Sequence, residues 1–89
     1  MTTLHFNVRG RVQGVGFRWW VRSRALELSI TGHVRNREDG SVEVLATGSD
    51  DALDVLRRSL HIGPSAAAVE DVEEAVASPD SSPGFEIVE

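Results

Sequence analysis

The chain has 89 residues, nine arginines and no lysine, fourteen acidic residues, three histidines and no cysteine, for a formal net charge of −5. That length suits one domain, residues 1–89, with one modest core, and the 40% hydrophobic and 26% charged fractions exclude wholesale disorder. Without cysteine there is no disulfide framework, no thiol nucleophile and no Cys-ligated zinc or iron–sulfur site.

Leu4, Phe6, Val8 and Val12 alternate with His5, Asn7, Arg9 and Arg11, the period-two pattern of a half-buried strand. Gln13-Gly14-Val15-Gly16 interrupts it. From Phe17 the spacing becomes helical, with Phe17, Trp20, Val21, Ala25 and Leu28 on one face. Thr31 to Arg37 reads as a short strand, Glu38-Asp39-Gly40 as a hairpin turn, and Val42, Val44 and Ala46 as the returning strand.

Ser49, Asp50 or Asp51 can cap a second helix with Leu53, Leu56 and Leu60 on its apolar face, and Gly63-Pro64 ends it. Acids at its start and Arg57, Arg58 and His61 near its end suit the helix dipole. Val69, Val72 and Val76 mark a further strand with a weaker, bulge-like pattern. Ser78 to Gly84, with two prolines, is a loop, and Phe85 to Val88 a closing strand. The order βαββαβ plus a short C-terminal strand predicts an α+β, ferredoxin-like two-layer sandwich: one antiparallel sheet with both helices on one face. Many functions use that fold, so function must come from the site.

Charge is distributed unevenly. Residues 1–45 carry a balance of +3 and residues 46–89 one of −8, and between Arg9 and Arg24 there are five arginines and no acid. Codon bias accounts for the missing lysine; the clustering concentrates positive potential beside a glycine-rich stretch and points to a small anion.

That stretch, Gly10-Arg11-Val12-Gln13-Gly14-Val15-Gly16-Phe17-Arg18, joins the first strand to the first helix. The helix has no Ser, Thr, Asp or Asn cap, so its first N–H groups need another acceptor, which a bound anion can supply. Gly14 and Gly16 let the backbone approach closely, and Arg18 adds a forked donor that matches phosphate oxygens. The same residues also fit a plain connector whose arginine faces water. Two nucleotide patterns fail: G-x-x-x-x-G-K-[ST] needs a lysine, and G-x-G-x-x-G breaks at Trp19.

The segment G-R-V-Q-G-V-G-F-R, residues 10–18, resembles the signature loop of the acylphosphatases. The family's second signature is matched by Gly32-His33-Val34-Arg35-Asn36 followed by Asp39-Gly40-Ser41-Val42, and the resemblance extends over nearly the whole chain. It implies hydrolysis of the mixed anhydride between a carboxylic acid and phosphate, with no metal or organic cofactor. It implies that Arg18 and the backbone N–H groups of Gln13, Gly14, Val15, Gly16, Phe17 and Arg18 bind the phosphate, and that Asn36 orients the attacking water. The partners it implies are an acyl phosphate substrate, with inorganic phosphate as product and competitor. No nucleic acid or membrane partner is expected, and the expected state is a cytoplasmic monomer.

Two positions depart from the family. His33 stands where a bulky aromatic is usual and Ser29 where a helix-ending glycine is common; both read first as tolerated packing or turn variants, and His33 secondarily as a residue that could alter the wall around the water site or bring pH dependence. Three scattered histidines have no metal-ligand spacing. Trp20 fits the buried stripe, Trp19 the helix edge, and Arg9, Arg11, Arg22 and Arg24 solvated faces.

Rival readings remain. A phosphate-binding module without turnover is one, against which Arg18 and Asn36 together argue. An RNA-binding module of the same topology is another, but it needs stacked aromatics where the first strand has His5, Asn7 and Arg9. A third is a domain of a larger carbamoyl-transferring assembly, for whose additional domains these 89 residues leave no room. No run approaches the roughly 20 apolar residues a membrane span needs, and Met1 to Val8 lacks the charged-then-apolar plan of a secretory signal.

Overall fold

A computed structural model describes residues 1–89. The alternating N-terminal segment is strand β1, Thr2–Arg11, and the helical stripe is α1, Phe17–Glu27. A hairpin of β2, Thr31–Asn36, and β3, Val42–Gly48, leads to α2, Asp50–Ile62. Strands β4, Ala68–Val76, and β5, Phe85–Val88, complete one sheet in the order β4-β1-β3-β2-β5. The expected ferredoxin-like sandwich forms, because every element offers one apolar face to a shared layer.

Leu4, Phe6 and Val8 of β1, Val34 of β2 and Val42, Val44 and Ala46 of β3 meet Phe17, Val21 and Ala25 of α1 and Leu53, Leu56 and Leu60 of α2 in that core. Trp20 and Leu28 pack half-buried at its margin. Of the three candidate caps for α2, Ser49 is the one used: its side chain accepts the Ala52 N–H at 3.1 Å.

Four strands pair antiparallel, whereas β5 adds to β2 in parallel, a direction that a four-residue strand does not signal in sequence. The irregularity expected in β4 is a register shift: Arg9 faces Asp71 and Gly10 faces Val69, leaving Glu70 as the extra residue. Val76, the last residue of β4, is 83% exposed at the free edge of the sheet.

The outer face of the sheet is polar but well covered. Glu43 of β3 sits among Arg35 at 2.6 Å, His5 at 2.9 Å, Arg37 at 3.4 Å and His33 at 3.8 Å. Burial alone would raise the pKa of Glu43, but hydrogen bonds from Arg35 and His5 outweigh it and hold the carboxyl at about 2. Asn7, expected to face solvent, is buried and accepts the Ser41 hydroxyl at 3.1 Å.

Candidate active site

Strands β1 and β2 both flank β3, and the register sets Val42 between Val8 and Asn36. The bend that leaves β1 and the end of β2 therefore lie on the same side of the sheet. Gly14 and Gly16 in that bend have φ of 75° and 77°, a left-handed backbone that side chains resist. Gly16 is the N-cap of α1 and supplies no capping side chain.

The consequence is a row of unpaired donors. None of the backbone N–H groups from Gln13 through Arg18 donates to a protein acceptor; the first bond of the helix runs from Trp20 N–H to the Gly16 carbonyl at 3.0 Å. Such groups stay unpaired only where water or a ligand takes them. No acid occupies the first turn of α1, so no carboxylate of the helix itself competes with an anion there.

The arginines separate by role. Arg9 pairs with Glu73 at 3.1 Å and Asp39 at 3.6 Å. Arg22 and Arg24, expected on solvated faces, are instead half-buried ties: Arg22 donates to the Phe85 carbonyl at 3.2 Å and lies 6.0 Å from the Trp19 ring, and Arg24 donates to Ser59 at 3.2 Å. Arg18 is half-buried with no hydrogen bond or ion pair to the protein, so its guanidinium is free for a ligand.

Asn36 ends β2 on the same face as Val34, and its Oδ1 is buried without a protein hydrogen-bond partner. It opens into a recess of about 500 Å³ lined by Arg35, Asn36, Arg37, Glu38, Asp39 and Glu89. Arg18 lines a second groove, of about 830 Å³, with Trp19, Arg22, Phe85, Glu86, Ile87 and Glu89. Glu89 borders both, so the two candidate residues open into adjoining recesses. Gln13 through Phe17 line neither recess.

Of the two readings of His33, the structure excludes a place in the wall around the water site. His33 lies on the outer sheet face, opposite Asn36 by strand alternation, with Nδ1 2.7 Å from Asp80. It therefore ties the β4–β5 connection to β2 and forms no part of the Asn36 recess.

Sequence reasoning missed the side chain of Gln13. Its Nε2 donates to the Arg37 carbonyl at 2.7 Å and to the Ser41 carbonyl at 2.9 Å, joining the bend to the β2–β3 turn. A separation of 24 and 28 residues leaves no local signal for such a bond.

No phenylalanine or tryptophan lies on the outer sheet face: Phe6, Phe17 and Phe85 are in the core, and both tryptophans are on α1. No helix is long and apolar enough to cross a membrane.

A sheet antiparallel except for β5 and backed by two helices, with uncapped amides at the bend between first strand and first helix, defines a ferredoxin-like α+β protein. Comparison with known proteins narrows this. The acylphosphatase family model matches residues 4–87. An acylphosphatase of Acidiphilium cryptum is 46% identical over 85 residues, covering 96% of this chain and 93% of the relative. The crystal structure of an acylphosphatase from Bacillus subtilis superposes with a TM-score of 0.95 at 37% identity, over 100% of both chains. The structure of one from Coxiella burnetii does so with a TM-score of 0.92 at 39% identity, over 98% of this chain and 92% of that one. The chain belongs to the acylphosphatase family and is thereby an enzyme, a hydrolase.

Proposed function

We propose that the chain hydrolyses acyl phosphates to carboxylate and inorganic phosphate, with no metal or organic cofactor. The observation that carries this reading is the run of backbone N–H groups from Gln13 through Arg18 that finds no acceptor in the protein, beside an Arg18 guanidinium with no acidic partner. Those donors form a cradle for phosphoryl oxygens at the positive end of α1.

The reaction asks little else of the protein. Water adds to phosphorus, the phosphorus–oxygen bond to the acyl group breaks, and the carboxylate departs with the electron pair. A carboxylate leaves readily, so no strong acid is needed. Catalysis then rests on placement and on stabilising the equatorial oxygens, which Arg18 and the amides of Gln13, Gly14, Val15, Gly16, Phe17 and Arg18 perform. Asn36 cannot act as a base, but its side-chain amide, which can both donate and accept, hydrogen-bonds the attacking water and aims it. The water's proton passes to an oxygen of the substrate's own phosphate.

We extend the reading to a single-domain, cytoplasmic monomer whose ligands are the acyl phosphate and inorganic phosphate, which sedimentation of the purified chain tests for oligomeric state. The deciding experiment is hydrolysis of benzoyl phosphate in the presence of a chelator, with inorganic phosphate as competitor. Chelator-resistant turnover, inhibited competitively by phosphate, is expected. Phosphate binding without turnover would reduce the chain to a binding module.

A further inference from the structure

The cradle and Asn36 belong to different stretches of chain, and the cradle acts on water only if the two keep a fixed relation. Asn36 is the last residue of β2 and is followed at once by the Arg37–Ser41 turn, whose Glu38, Asp39 and Gly40 are exposed and contribute nothing to the core. Core packing therefore fixes β2 up to Val34 and leaves its end to polar ties.

We propose that the Gln13 side chain is a positioning residue that holds Asn36 in register with the phosphate cradle. This rests on the reading of Asn36 as the residue that aims the water. One primary amide has two hydrogens, and both are used here: Nε2 donates to the carbonyls of Arg37 and Ser41, the first and last residues of the turn. Those carbonyls do not need Gln13 for their own satisfaction. The Arg37 carbonyl already accepts the Gly40 N–H at 3.1 Å, and the Ser41 carbonyl the Arg37 N–H at 2.8 Å. The Gln13 bonds are thus a second acceptance at each oxygen, and their effect is to fasten the cradle to the hairpin. The nearer fastening point is the carbonyl of Arg37, the residue that follows Asn36 at the end of β2. Gln13 thereby enters the site twice: its backbone N–H is part of the cradle, and its side chain sets the distance between cradle and water.

The test separates positioning from binding. Gln13→Ala keeps the backbone N–H, so phosphate should inhibit as before, while kcat for benzoyl phosphate falls about 10- to 10²-fold, the penalty of a misplacement near 1 Å. In an Asn36→Ala background the same substitution should cost almost nothing more, because the residue it positions is gone. Gln13→Glu keeps the length but turns carboxylate oxygens toward two carbonyls. It should lose at least as much at neutral pH, and its rate relative to the parent should recover as acid protonates the new carboxyl and restores one donor. Hydrogen exchange at the Arg37 and Gly40 amides should quicken in Gln13→Ala, reporting the loosened turn directly.

An unchanged kcat overturns the proposal. So do losses that multiply in the double variant, or phosphate affinity that collapses in step with the rate. If the parent protein leaves benzoyl phosphate intact, the acylphosphatase reading of this site fails first. The clamp is then judged by amide exchange alone, and unchanged exchange at Arg37 and Gly40 refutes it.

Discussion

Arg35 donates its Nε–H to Glu43 across the β2–β3 pair at 2.6 Å, one residue before Asn36. The outer face of the sheet thus carries a charge-assisted bond directly behind the strand end that presents Asn36. Glu43 also receives His5 and Arg37, so one carboxylate ties β1, β2 and the turn together.

That carboxylate gives acid stability a defined window. Glu43 has a pKa of about 2 in the folded protein against an ordinary 4.5. A depressed pKa contributes stability that is present in full above 4.5 and lost as pH falls toward 2. Urea midpoints measured across that interval should fall steeply for the parent protein and more gently for Glu43→Gln. Parallel slopes would show that Glu43 is not the group responsible.

Arg18 and Asn36 should fail in different ways. Arg18→Ala is expected to lower the rate by about 10²–10³ and to weaken phosphate inhibition, as removal of a principal charge-stabilising donor does. Asn36→Ala should lose turnover yet bind phosphate normally, because its task concerns water alone. Rate and phosphate inhibition constant, measured for both variants, check this division; full turnover in either removes that residue from the mechanism.

Ser29 offers a stabilising change. It is the one non-glycine residue with positive φ, at 56°, and it lets Ile30 N–H reach the Ala25 carbonyl at 2.9 Å to close the end of α1. Ser29→Gly removes the steric penalty of the left-handed backbone, worth about 1 kcal/mol. A gain of that size raises Tm by about 4–8 °C in a domain this small. A thermal melt showing no rise would mean that the hydroxyl compensates.

Ser49 caps α2 where two neighbouring acids were equally eligible by sequence. Ser49→Ala removes the acceptor of the Ala52 N–H and should cost about 1 kcal/mol of stability. Asp50→Ala, at the first helical residue, should cost less. Equal losses in chemical denaturation would contradict the assignment.

The local pattern of the chain determined its elements, their order and the residues at the strand-to-helix bend, because alternation, helical spacing and turn residues act over a few positions. The N-terminal strand, the uncapped start of α1 and the hairpin around Asp39-Gly40 were legible for that reason. What depends on partners far along the chain was not. The parallel addition of β5 to β2, the buried setting of Asn7, the ties made by Arg22 and Arg24 and the turning of His33 toward Asp80 all arise from contacts across the sheet. Gln13 shows the difference most clearly: the motif assigns it to the cradle through its backbone, but only the folded chain brings its amide to the carbonyls of Arg37 and Ser41. A side chain's partner over such a separation is chosen by the packing of whole layers, and no short stretch of sequence contains that information.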